Sequence, residues 1–86
     1  MGKVIQEFET LYEVGAVVVF KRDGIQVGII EGYYVEDNCF WFNIRISLKY
    51  VYTYTNGGDI GEFDIVGKLE GEIKENCYNL ITGKDS

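Results

Sequence analysis

From Phe40 to Leu48 every second side chain is apolar. Phe40, Phe42, Ile44, Ile46 and Leu48 fall in one phase, and Trp41, Asn43, Arg45 and Ser47 in the other. An extended strand sends successive side chains to opposite faces, so this run predicts a half-buried strand. The phase also fixes a register. A slip of one residue would bury Asn43 and Arg45 and expose Phe40, Phe42 and Ile44. Each exposed Phe or Ile forfeits roughly 1.5–3 kcal/mol of burial, and an unpaired buried charge is costlier still. Phe40, Phe42 and Ile44 are therefore expected to point inward with Val18, Ile29 and Ile65. Trp41, Asn43 and Arg45 are expected to point outward.

Most of the remaining chain reads as strands and turns. Ala16-Val17-Val18-Val19-Phe20 is a β-branched run, and Asp23-Gly24 after it is a hairpin signal because glycine supplies positive φ. Ile25, Val27 and Ile29 alternate with Gln26 and Gly28, and the run continues to Val35. Gly28 and Gly32 would let so long a strand bend or bulge. Glu36-Asp37-Asn38 is a second turn. A fourth strand is expected from Tyr50 to Thr55, a break at Asn56-Gly57-Gly58-Asp59, and a 3₁₀ turn at Gly61-Glu62-Phe63-Asp64. Alternation resumes from Ile65 to about Ile73, with Ile65, Leu69 and Ile73 on one face. At the ends, Val4, Ile5, Phe8, Leu11 and Tyr12 have helical spacing that suits a cover over one mouth of the barrel. Ile73, Cys77, Leu80 and Ile81 have it too, with Gly83 as a stop.

From Val14-Gly15 onward this order of parts resembles the small barrels of the SH3-like class, in the Tudor and KOW style. The matching residues are Val14-Gly15, Val17 to Phe20, Gly24, Val27-Gly28-Ile29-Ile30, and Asp64-Ile65 at the entry to the last strand. The resemblance covers about 55 residues and is a pattern of turns and apolar positions, not a functional motif. It implies a mostly-β fold: one five-stranded SH3-like barrel over about 14–73, with extensions at 1–13 and 74–86 whose spacing suits short helices. With 86 residues the chain, 1–86, has room for a single domain.

Several chemistries lack their residues. The chain has no histidine, which excludes Ser-His and Cys-His nucleophile pairs and zinc sites that need histidine. No enzyme is expected, and no cofactor or metal. Asn56 to Gly61 is glycine-rich but lacks the Gly-Lys-Ser/Thr ending of a phosphate loop. Asp59, Glu62 and Asp64 do not follow the spacing of a calcium loop. Cys39 and Cys77 read as free thiols. No apolar run approaches the roughly 20 residues of a membrane helix, the start lacks a signal-peptide pattern, and Gln6 stands where a myristoylation motif wants Ser or Thr. The expectation is a cytoplasmic protein that does not engage membranes.

The aromatic fraction, 15%, most needs a role. With Phe40 and Phe42 inward, Trp41 stands outward with Asn43 and Arg45, and one aromatic from each neighbouring strand, Tyr34 and Tyr52, is expected to join it. Exposed Trp, Tyr and Arg dominate protein interfaces, so these five residues make the candidate surface for a protein or peptide partner. The resemblance adds that Tudor-like domains hold methylated Lys or Arg in aromatic cages, which these aromatics permit without specifying. Phe40-Trp41-Phe42 also suits base stacking, yet the net charge of −6 and scattered basic residues argue against nucleic acid. Two other readings stand beside the interaction module. The acid-rich segment from Asp59 to Glu75 suits an inhibitor that mimics nucleic acid, and exposed aromatics with unpaired edges suit a self-assembling homo-oligomer. Abundant Ile, Lys, Asn, Tyr and Phe without Pro or His point to an AT-rich source such as a bacterium, phage or plasmid.

Overall fold

Asp37 and Asn38 both carry left-handed φ angles, 55° and 62°, as a tight two-residue hairpin requires. They join the two longest strands, β2 (Ile25–Glu36) and β3 (Cys39–Arg45). The computed structural model describes residues 12–84. Before this hairpin, β1 (Val17–Lys21) turns into β2 through Arg22-Asp23-Gly24, where Asp23 and Gly24 also have positive φ. After it come β4 (Val51–Tyr52), β5 (Ile60–Gly61), β6 (Ile65–Lys68) and one helix, α1 (Gly71–Thr82).

The strands form one antiparallel sheet in the order β4-β3-β2-β1-β6, and β5 also pairs with β3. β4 takes the Ile44–Arg45 end of β3 and β5 takes the Trp41–Phe42 end. The expected fourth strand is thus cut to two residues. Thr53 caps a 3₁₀ turn at Tyr54–Asn56, which bends the chain away before it pairs again as β5. The sheet has six strands instead of five, and no ladder joins β4 to β6 to close a barrel. It is nonetheless strongly curled. Phe20 on β1 and Tyr52 on β4 are separated by two strands in sheet order, yet their rings meet edge-on at 5.7 Å.

Inside the curl lie Ala16, Val18, Phe20, Ile30, Phe42, Ile44 and Ile60, with Phe40, Ile46, Tyr52 and Ile65 against them. Phe42 and Ile44 are fully buried, as the alternation requires. Ile29 departs from expectation. It joins Val17 and Ile81 in a second cluster on the opposite face of the sheet. The residue that faces Ile44 is Ile30, because the β2–β3 register shifts between Ile30 and Gly32. That bulge inserts Glu31 and changes the phase of β2 along its length. Gly28 also faces inward, and a Cβ there would stand 2.3 Å from Ile44 Cγ2 and 2.8 Å from the Arg45 carbonyl. Only glycine allows the strands to pass so closely.

The second cluster exists because α1 lies across β1 and the first half of β2, with Leu69, Cys77 and Tyr78 filling in around Ile81. The last strand therefore ends at Lys68 and does not run to Ile73. Gly71, at φ 75°, turns the chain into the helix, and Ile73 is exposed on it. Gly83 ends the helix at φ 76°, its N–H directed to the Leu80 and Asn79 carbonyls. The apolar spacing at Val4, Ile5, Phe8 and Leu11 lies outside the described residues, while Tyr12 sets its ring edge-on to Phe42 at 5.9 Å. Among the described residues no helix is long and apolar enough to cross a membrane.

Candidate interaction site

The helix covers only half of the sheet's outer face. Past the bulge, β2 and β3 present Tyr34 and Trp41, which are direct partners in the ladder, and Gly61 of β5 pairs with Trp41 on its far side. Gly61 leaves room that Phe63 fills. A Cβ on Gly61 would lie 2.6 Å from the Phe63 ring and 3.1 Å from the Trp41 ring. Phe63, on the 3₁₀ turn Glu62–Asp64, meets Trp41 edge-on at 5.4 Å and 89°. The same turn is fastened to β3, since the Phe40 amide donates to Glu62 Oε1 at 2.7 Å. The Trp41 indole N–H donates to the Glu36 carbonyl at 3.2 Å.

Tyr34 forms the matching pair with Tyr54, at 5.8 Å and 79°. Tyr54 opens the 3₁₀ turn that Thr53 and Asn56 lock reciprocally: each side chain accepts from the other's backbone N–H. The Tyr34 hydroxyl donates to the Asp59 carboxylate. Partial burial, then this hydrogen bond and the negative charges of Asp59 and Glu36, push the Tyr34 phenol above its ordinary range.

In an edge-to-face pair the faces of both rings border one re-entrant corner. Each face carries the negative lobe of the ring quadrupole. The corner of Tyr34 and Tyr54 is a pocket of about 320 Å³ whose third wall is Glu36. Two π faces and a carboxylate together attract a cation. Among the described residues no group of three or more carboxylates and thiols is gathered to hold a metal.

Of the residues singled out in the sequence, Trp41 and Tyr34 come together. Asn43 shares their face, half-buried, with its Oδ1 enclosed and unpaired. Arg45 is turned to local partners: Glu31 at 2.5 Å and the Ser47 and Leu48 carbonyls at 2.9 and 3.0 Å. Tyr52 does not join Trp41. It pairs with Ile44, an inward residue, and so takes the core side of the sheet against Phe20. Sequence reasoning missed Phe63, Tyr54, Glu36 and Asp59. Each has a place in the sequence pattern, Phe63 in an expected 3₁₀ turn, Tyr54 in an expected strand rich in tyrosine, Glu36 in a turn and Asp59 in the acid-rich segment, but none is marked there as part of this face. Comparison with protein-family models, curated proteins and solved structures finds no match.

Proposed function

We propose that this chain is a non-catalytic, SH3-like interaction module that binds a protein segment bearing Lys or Arg on its outer aromatic face. The observation that carries the reading is the pair of edge-to-face contacts, Trp41–Phe63 and Tyr34–Tyr54, side by side on one face. Phe63 and Tyr54 are each 65% exposed, so burying them against a partner returns free energy that folding does not collect. Glu36 beside the tyrosine corner selects for positive charge, and the net charge of −6 steers a basic partner toward the domain.

Trp41 is the only tryptophan in the chain, so its emission reports on this face. Tetralysine and tetraarginine peptides, titrated at physiological salt, should change Trp41 emission saturably, and tetraglutamine should not. The Y54A/F63A variant keeps every charge but loses both partner rings. Equal binding of tetralysine to that variant reduces the effect to general charge attraction and overturns the reading.

A further inference from the structure

We infer that Arg22 is the positioning residue of the aromatic corner: from the β1–β2 turn it clamps the backbone at Gly58 and Asp59, and so sets where Tyr34 and Tyr54 meet. This rests on the reading of the corner as a cation site, which it deepens by naming what holds the site in shape.

Arg22 lies outside the site, but its guanidinium reaches 36 and 37 residues along the chain to donate to the Gly58 and Asp59 carbonyls, at 3.4 and 3.0 Å. The planar fork matches two successive carbonyls, a geometry that lysine's point charge cannot copy. Arg22 is itself braced. Its guanidinium carbon stands 5.5 Å from the centre of the Tyr52 ring. Gln26 Nε2 donates to the Arg22 carbonyl at 2.5 Å and to the Tyr52 hydroxyl at 2.9 Å. That explains a polar side chain on the inward phase of β2 at its open end.

The clamped segment carries one wall of the corner, Tyr54, and holds the hydroxyl of the other, Tyr34. The Gly58 amide donates to the Thr53 carbonyl at 2.9 Å, and a Cβ on Gly58 would press on Tyr52 and Asn56 at 3.0 Å. Residues 53–58 are therefore one closed unit, with Tyr54 near its start. Asp59 follows directly and receives the Tyr34 hydroxyl. A shift at Gly58–Asp59 displaces Tyr54 through the unit and Tyr34 through Asp59. The two rings come from distant parts of the sequence, and between the β4 and β5 pairings with β3 Arg22 adds a side-chain tie from the β1–β2 turn to their common support. Fixing both rings before a ligand arrives removes an ordering cost from binding.

The test compares R22M and R22K with wild type by NMR of ¹³Cζ-labelled tyrosine, assigned with Y34F. In wild type the Tyr34 signal should titrate above an ordinary tyrosine value of about 10. In R22M it should titrate in the ordinary range, with R22K between. Removal of a positive charge by itself would push a phenol upward. A downward movement therefore reports loss of position. Tetralysine should bind R22M about tenfold more weakly, as loss of preorganisation predicts. I73A, on the exposed side of α1, should change neither readout.

A folded R22M or R22K whose Tyr34 titrates as in wild type overturns the proposal. So does undiminished tetralysine binding by either. If R22M does not fold, R22K carries the test. The tyrosine titration needs no ligand. A wild type that binds no tetralysine but shows the expected titrations removes the cation-site reading and leaves the positioning role standing.

Discussion

Tyr34 and Trp41 face each other across the β2–β3 ladder, and each meets a second ring edge-on from a 3₁₀ turn that the sequence places well downstream. The two turns lie on either side of β5, so a two-residue strand docks both rings. The outer face is thus assembled from a long hairpin and a short segment of two 3₁₀ turns joined by β5.

Phe63 is the cheaper half of its pair to remove. It is mostly exposed, so F63A loses the edge-to-face term and little burial, and should lower stability by about 0.5–1.5 kcal/mol in urea unfolding. Trp41 emission should shift to the red as water reaches the ring face. An unchanged spectrum would mean that the two rings are not in contact in solution.

Phe42 is at the other extreme. It has no exposed surface, and it touches Tyr12, Tyr33 and Phe40 as well as the core. F42A should cost about 3–5 kcal/mol, enough to leave much of so small a domain unfolded at 37 °C. A loss under 1 kcal/mol would be incompatible with the inward phase of β3.

Two glycines in the sheet should respond in opposite ways. G28A drives a methyl into Ile44 and the Arg45 carbonyl and should destabilise by about 1–3 kcal/mol or more. Gly67 has open space where its Cβ would stand. G67A should be neutral or stabilise by roughly 0.4–1 kcal/mol through the unfolded chain. Similar midpoints for the two variants would contradict the close approach at Gly28.

The raised phenol of Tyr34 gives stability a definite pH dependence. The folded state holds this proton more tightly than the unfolded one. The contribution is therefore complete below the unfolded value of about 10 and is lost as pH rises toward the folded one. Denaturant midpoints of wild type and Y34F should differ most at pH 8 and converge above pH 10. A gap that widened with pH would reverse the sign of the shift.

What could be read from the sequence was what repeats or turns locally. Phe42 and Ile44 announced themselves by period two, Asp23-Gly24 by the positive φ that glycine supplies, and Glu36-Asp37-Asn38 as a turn between strands. Ile29 and Tyr52 were misplaced for the same kind of reason. The face of Ile29 depends on a bulge at Glu31 and on a helix beyond Gly71. The face of Tyr52 depends on which β3 residue it pairs with. Neither is a local property. Tyr54 and Phe63 sit in single turns with no period, so only the β3–β5 pairing reveals that they belong to one surface with Trp41.

The middle of β2 has a cost that a half-buried strand escapes. Gly28 and Ile30 are sealed on the inner side, and Ile29 between them is sealed under α1. Every substitution in this tripeptide must satisfy two independent packing problems at once. In an exhaustive mutational library these three positions should tolerate the fewest replacements, fewer than Trp41 or Tyr34. The stretch that limits how this protein can diverge would then lie away from the proposed binding surface.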